Sequence, residues 1–502
     1  MNHQKLDLQE LLPFSLRMIF IVIATLVLFF SIRYASIVTM NKYEIPIISQ
    51  NSPLNYSFLI LIGLSFITMQ PIIDKFNPRI FLTIIIILFF AISLYLIYHS
   101  STFLRQSDPK NCLEVASHLN NGNFVDLKKE KYLGWYPYQI YWITFLRPLV
   151  RISNSVKFFY FLNLIYQCII FIIFYKITKS FTNKVAVLNN VSLMLLCFLP
   201  NIFNILFIYG NVPGYMFFLL SLYFLLRVLK GEDRIFLMIF SVLTAYFIKN
   251  NYLIGIIALI ITVLITNLAI RKKIVTVIIT VGLTFIISTC ISAYYSHFAK
   301  DNFNVRSGMP KEAFVVMGLQ DYMGLKNGWY DGYTLQIFRQ NNYSAKLTKK
   351  QAKKDLDKRI YELKNSPSKT IKFFEKKLVS TWSDSTFQSL WVAPWQNKTN
   401  KNLKYFYRDS KKNLVRIISS IITQIILICS LLNCLKKSNN LEYRTYSVVA
   451  ILFFVGGFLF HLVWETKSQY VWQYIETLIP VAGMELNSLF IYFNGWRKKL
   501  CK

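Results

Sequence analysis

The chain has 502 residues, 54% of them hydrophobic, and a formal charge of +32 from 56 Lys and Arg against 24 Asp and Glu. That charge does not read as nucleic-acid binding, because no recognition module is present and the cations gather beside apolar runs, where anionic lipid holds them. Seven Cys and five His are scattered, which argues against a disulfide framework, a CxxC metal site or a His-built metal centre.

Twelve apolar runs follow one another at about 14–34, 55–73, 79–98, 157–177, 185–206, 212–229, 233–249, 252–270, 273–296, 413–434, 444–464 and 470–493. A helix of about 20 residues crosses the hydrocarbon core, and only helices or closed barrels satisfy their backbone there. The runs lack the period-2 alternation of barrel strands, so the expected class is an all-α polytopic membrane protein with about twelve transmembrane helices. The N-terminus shows no cleavage pattern, and the first run is expected to stay as an anchor.

Short connections carry Lys176, Lys179 and Lys184, then Lys230 and Arg234, then Arg271 to Lys273, then Lys436, Lys437 and Arg444. With twelve spans these all fall on one side, and the positive-inside rule makes that side cytoplasmic. Both termini are then inside, and segments 99–156 and 298–412 are outside. The expected organisation is a transmembrane module 1–297 containing the outer loop 99–156, an extracytoplasmic loop domain 298–412 and a second transmembrane module 413–502. Every inner connection is too short for a nucleotide-binding domain, and no P-loop or Rossmann fingerprint occurs. Abundant Lys, Asn and Ile suggest an AT-rich genome and a bacterial plasma membrane.

The first outer loop reads SDPKNCLEVASHLNNGNF from Ser107. Asp108 and Pro109 suit an N-cap and first helical position. Asp108 has two readings, a helix cap or a general base near the lipid headgroups. Segment 136–150 is apolar but short, with Pro137 and Pro148, and reads as interfacial or re-entrant. In the larger loop a helix is expected over about Thr348–Leu363, followed by a second with Ser366 as N-cap and Pro367 first. The Gly-rich GLKNGWYDGYT before them reads as turns. The loop carries 23 Lys and Arg against 10 Asp and Glu, which would suit an anionic partner.

Four further segments stand at the outer ends of spans: GWYPYQIYWITFLRPL (134–149), YGNVPGY (209–215), FIKNNYLIGIIAL (247–259) and WETKSQYVWQYIETLIP (464–480). Together with the Asp-Pro loop, and in this order, they resemble the GT-C superfamily of membrane glycosyltransferases, which includes protein O-mannosyltransferases and the aminoarabinose transferases of lipid A. The resemblance covers the span order of most of the chain through short motifs. It implies a sugar donor on a polyprenyl phosphate, an extracytoplasmic acceptor (glycan, glycolipid or protein) and transfer with inversion. Asp108 then becomes the base, and Lys249 and Lys467 become ligands of the lipid phosphate. Glu465 and Gln469 flank Lys467 and either orient it, bind sugar hydroxyls or sit in water. Tyr470, Trp135 and Tyr136 stack on sugar or belong to the interfacial aromatic belt. Asn250 and Asn251 are turn formers or donor contacts. Asn211 stands where several members of the superfamily carry a second acid, so no metal and no cofactor are expected.

Two alternatives remain at this stage. A polysaccharide polymerase or ligase has similar spans and one large loop, but usually relies on outer-loop Arg and His. A lipid flippase or transporter commonly shows inverted repeats, intramembrane charges and discontinuous helices; here no repeat is seen and the charges lie almost wholly at span ends.

Overall fold

A computed structural model of the chain describes residues 8–38, 44–102, 104, 107–299, 303–305, 307–396, 403 and 410–500. Eight helices among them are long and apolar enough to cross a bilayer: Phe14–Arg33, Pro53–Ile73, Pro78–His99, Val156–Phe181, Asn211–Leu229, Ile270–Phe298, Lys412–Cys434 and Leu441–Val463. The chain is therefore an all-α membrane-spanning protein with almost no sheet.

The other four expected spans are helical but short or interrupted, and local chemistry explains each break. The run at 185–206 is two helices, Val185–Cys197 and Pro200–Leu206, meeting at 55°. Pro200 has no N–H to continue the ladder. Ile235–Ile248 and Asn250–Ile265 fall short of a full crossing. The last run divides into Trp472–Glu476 and Ile479–Leu500. The freed polar groups find partners across the bundle. Asn201 donates to Glu476 Oε1 at 2.8 Å and to the Leu195 carbonyl at 3.2 Å. Tyr446 donates to the Thr477 carbonyl at 2.7 Å. Asn163 donates to the carbonyls of Ile205 and Phe207. Broken helices at membrane depth persist only with such partners.

Aromatic contacts fix these interrupted pieces in the bundle. Phe453 meets Phe218 at 4.4 Å and Tyr474 at 4.6 Å between ring centroids. Both rings of Tyr252 and Trp472 are fully buried nearby. Such pairs add to area burial because the ring edge is positive and the face negative. Helix Ile270–Phe298 presents many exposed apolar side chains and lies at the periphery, as a lipid-facing helix should.

Three polar segments meet at one end of this bundle. A hairpin pairs β1 (Tyr34–Val38) with β2 (Pro46–Gln50), antiparallel, in a register that sets Tyr34 opposite Gln50. Its Ser36 N–H donates to the Ser383 carbonyl at 3.2 Å, and Tyr34 donates to Glu375 at 3.3 Å. Segment 99–156 contributes helix Asp108–Asn120, packed on helix Ile140–Ile152. Pro148 lies inside the latter.

The third segment carries helices Lys311–Leu319, Tyr333–Gln340, Ala345–Asn365 and Pro367–Trp382. Ala313, Val316, Ile337 and Ala352 form a small core of their own, with Leu356 against it. Helix Ala345–Asn365 begins earlier than its apolar period indicates, because the Ser344 hydroxyl caps it by accepting from Leu347 N–H. Ser366 does occupy the N-cap of Pro367–Trp382, but its side chain makes no capping bond.

Candidate functional site

Asp108 is not the N-cap expected from its sequence. Ser107 holds that position, and Asp108 is the first helical residue, exposed, with Pro109 behind it. Its carboxylate Oδ1 accepts a hydrogen bond from the Tyr132 hydroxyl at 3.1 Å. The same hydroxyl lies 3.6 Å from Cys112 Sγ, one helical turn along. A first-turn carboxylate is favoured by the helix dipole, and here it accepts from Tyr132 rather than capping the helix.

Opposite Asp108 stands Lys249, just beyond the end of helix Ile235–Ile248. Its ammonium sits 3.4 Å from the centroid of the Tyr209 ring, a cation–π contact. Gln139 donates to the Tyr209 hydroxyl and so fixes that ring. Burial draws the Lys249 ammonium down to about 7, with Asp108 and Glu465 pulling it up and Lys467 pushing it further down. These four groups, from three widely separated stretches of sequence, form one electrostatic cluster.

Segment 464–470 supplies the other wall. Lys467 Nζ pairs with Glu44 Oε2 at 2.5 Å and lies 5.4 Å from the Tyr330 ring centroid. Burial works against the Lys467 charge, but Glu44 and Glu465 outweigh it and hold the ammonium above the ordinary lysine range. Burial pushes the Glu465 carboxyl up to about 7, with Lys467 pulling the other way. Tyr470 donates to Glu465 at 3.5 Å and stacks on His461, with centroids 5.6 Å apart. Tyr136 bonds Tyr330 across the cluster, and burial raises both phenols.

This wall is held from behind by the helical segment. Lys377, 1% exposed, donates to the carbonyls of Gly318 at 2.5 Å, Leu462 at 2.9 Å and Trp464 at 2.9 Å. Thr466 N–H donates to the Gly328 carbonyl at 2.9 Å. A Cβ on Gly318 would stand 2.5 Å from the Val463 carbonyl oxygen, and one on Gly328 would stand 2.4 Å from the Gly318 oxygen. Gly328 also has φ +72°, so both positions require glycine.

Six of the residues singled out from sequence thus converge: Asp108, Lys249, Glu465, Lys467, Tyr136 and Tyr470. The others lie apart. Trp135 is at the rim, under the Arg339 guanidinium at 5.1 Å, and its carbonyl accepts from Met309. Asn211 opens helix Asn211–Leu229, with its carbonyl taken by Tyr252 at 3.1 Å. Asn250 and Asn251 form the turn Asn250–Tyr252. The Gln469 backbone N–H donates to Gln388 Oε1 at 3.4 Å, beside a buried Asp384 held by Thr386, Gln388 and Ser468.

Glu44, Tyr132, Tyr209 and Tyr330 belong to the cluster and were not singled out. One signal did point to Tyr330: Gly-Trp-Tyr occurs at 134–136 and again at 328–330, and the two tyrosines meet. Among the described residues, no three His, Cys, Asp or Glu side chains are arranged to hold a metal ion. Comparisons with protein-family models, with curated proteins and with solved structures find no match to this chain.

Proposed function

We propose that the chain is a membrane glycosyltransferase of GT-C type, taking a sugar from a polyprenyl-phosphate donor at the end of the bundle where the polar segments meet. That end faces away from the cytoplasm in this reading, at a bacterial plasma membrane. The observation that supports it most is the cluster itself: a carboxylate at Asp108, held by Tyr132, beside the lysines Lys249 and Lys467 among tyrosines.

The chemistry follows from those groups. An acceptor hydroxyl attacks the anomeric carbon of the donor sugar. The bond from that carbon to the phosphate oxygen breaks, the lipid phosphate leaves with the electron pair, and the acceptor proton passes to Asp108. Charge grows on the leaving phosphate, and preorganised cations stabilise it. Lys467 keeps its charge but is already paired with Glu44, whereas Lys249 lies against the neutral Tyr209 ring with its ammonium drawn down to about 7 by burial, so that an arriving phosphate would hold it protonated. Glu44 and Glu465 would then tune Lys467 rather than bind phosphate.

Transfer of radiolabelled sugar from polyprenyl phosphate to envelope acceptor, by purified protein in detergent, tests this. Asp108→Asn should lower the rate by about 10²- to 10⁴-fold, the usual worth of a positioned base. Unchanged transfer in that variant overturns the assignment.

A second reading, a lipid flippase, gains one observation: helices broken at membrane depth beside the fully buried Glu476. A flippase works only across a sealed bilayer, so donor consumption in detergent separates the two.

A further inference from the structure

We propose that a cleft in the helical segment, beside but not within the Asp108 cluster, is a glycan-binding site selective for uncharged or amino sugars. That its occupant is the acceptor rests on the transferase reading. The cleft has a volume of about 440 Å³, inside the roughly 300–1,000 Å³ of small-molecule sites.

Its lining fixes the chemistry of the ligand. Tyr322 and Tyr333 contribute rings, whose faces suit the C–H face of a pyranose. Asp321, Asp331, Asp355 and Glu362 also line it, against only Lys358 and Arg359. Asp355 already accepts from the Tyr333 hydroxyl and Gln351, Asp331 accepts from Tyr333 N–H, and Glu362 pairs with Arg359, and the acceptor sites these oxygens have left over suit a partner rich in hydroxyl or ammonium donors. Both cations are engaged or outnumbered: Arg359 donates to the Leu319 carbonyl at 2.7 Å and pairs with Glu362 at 3.1 Å. A polyphosphate or teichoic-type chain would meet a net negative wall and be rejected. The mean charge of this segment suggests the opposite, but its lysines are mostly spread over exposed helix faces outside the cleft.

Position links the cleft to the cluster. Tyr330 bonds Tyr136 on the cluster side, while Asp331, the next residue, lines the cleft. The ribbon between them is tied on both edges. Gly328 N–H donates to the Gln320 carbonyl at 2.9 Å, and the Gly328 carbonyl accepts from Thr466 at 2.9 Å. Lys326 donates to the Tyr330 carbonyl at 3.0 Å. A glycan seated on Tyr322 and Tyr333 therefore lies one ribbon away from Lys467.

The test uses two fluorescently labelled oligosaccharide pools from the envelope of the cells that make the protein, one neutral or amino-bearing, one anionic, separated by ion exchange. Binding to the full-length detergent-purified protein is measured for wild type, Tyr322→Ala and Asp331→Asn. Tyr322 is exposed, so its truncation leaves the fold intact. Wild type should bind the neutral pool at least tenfold more tightly than the anionic pool, and both variants should weaken that binding at least fivefold. Preference for the anionic pool, no binding of either pool, or binding unchanged in both variants overturns the proposal. Transfer from lipid donor is assayed in parallel. Neutral-pool binding without transfer upholds the cleft and sinks the transferase reading, whereas transfer with unaltered binding in the variants does the reverse.

Discussion

At the scale of single residues, the group whose protonation matters most is Glu465. It is buried beside Lys467, which Glu44 already pairs at 2.5 Å. Two carboxylates around one ammonium cannot both ionise cheaply, and burial leaves Glu465 with its proton up to about 7. A carboxyl that holds its proton more tightly when folded contributes stability in full below its ordinary value of 4.5, and loses that contribution as pH rises through about 7. Glu465→Gln mimics the protonated form at every pH. Its melting temperature in detergent should match wild type near about pH 5 and exceed it by a growing margin up to about pH 8. A difference that does not change with pH would show that Glu465 is ionised throughout. Lys467 and Glu465 were legible as a charged motif at a span end, and so was Asp108. Glu44 was not, because its role comes from a partner more than 400 residues away, and no local pattern marks it.

At the scale of elements, the cluster depends on a clamp that joins the helical segment to the end of helix Leu441–Val463. Lys377 takes three carbonyls from two separate stretches, and its removal leaves three buried acceptors without a donor. Each unsatisfied group costs about 1–3 kcal/mol. Lys377→Met keeps the aliphatic volume and should therefore destabilise the protein by about 3 kcal/mol or more, read as a lower melting temperature. It should also release segment 464–467, raising hydrogen exchange at Thr466 N–H, which the Gly328 carbonyl now holds. A variant as stable and as protected as wild type would refute the clamp. The helices themselves were readable from apolar period and turn signals, including the Ser366–Pro367 start. Where they break was not readable. The interruption at Thr477 and the bend before Pro200 are stabilised by Tyr446, Tyr215 and the Asn201–Glu476 bond, partners that only the assembled bundle supplies. Asp108 shows the same limit: Asp-Pro fits a cap equally well, and the bond its carboxylate accepts comes from Tyr132, 24 positions further on.

At the scale of the whole molecule, the two ends of the bundle differ in kind. The hairpin and residues Trp135 and Tyr136 each bond to the helical segment at one end. At the other lie short basic connections, where Arg17 meets the Lys436 carbonyl and Lys436 pairs with the buried Glu485 at 2.6 Å. Short connections obey the positive-inside rule, whereas long segments cross the membrane largely regardless of charge. The basic ends should therefore be cytoplasmic, and the Asp108 cluster should open to the opposite side, where no free nucleotide-sugar is available and a lipid-linked donor is the usable one. Single cysteines in an otherwise Cys-free chain test this. Lys358→Cys, on helix Ala345–Asn365, should react in intact cells with a membrane-impermeant maleimide, and Lys437→Cys should react only after permeabilisation. The reverse pattern would place the cluster in the cytoplasm, beside soluble activated sugars, and would remove the physical reason for a polyprenyl-phosphate donor even if Asp108 proved to be the base.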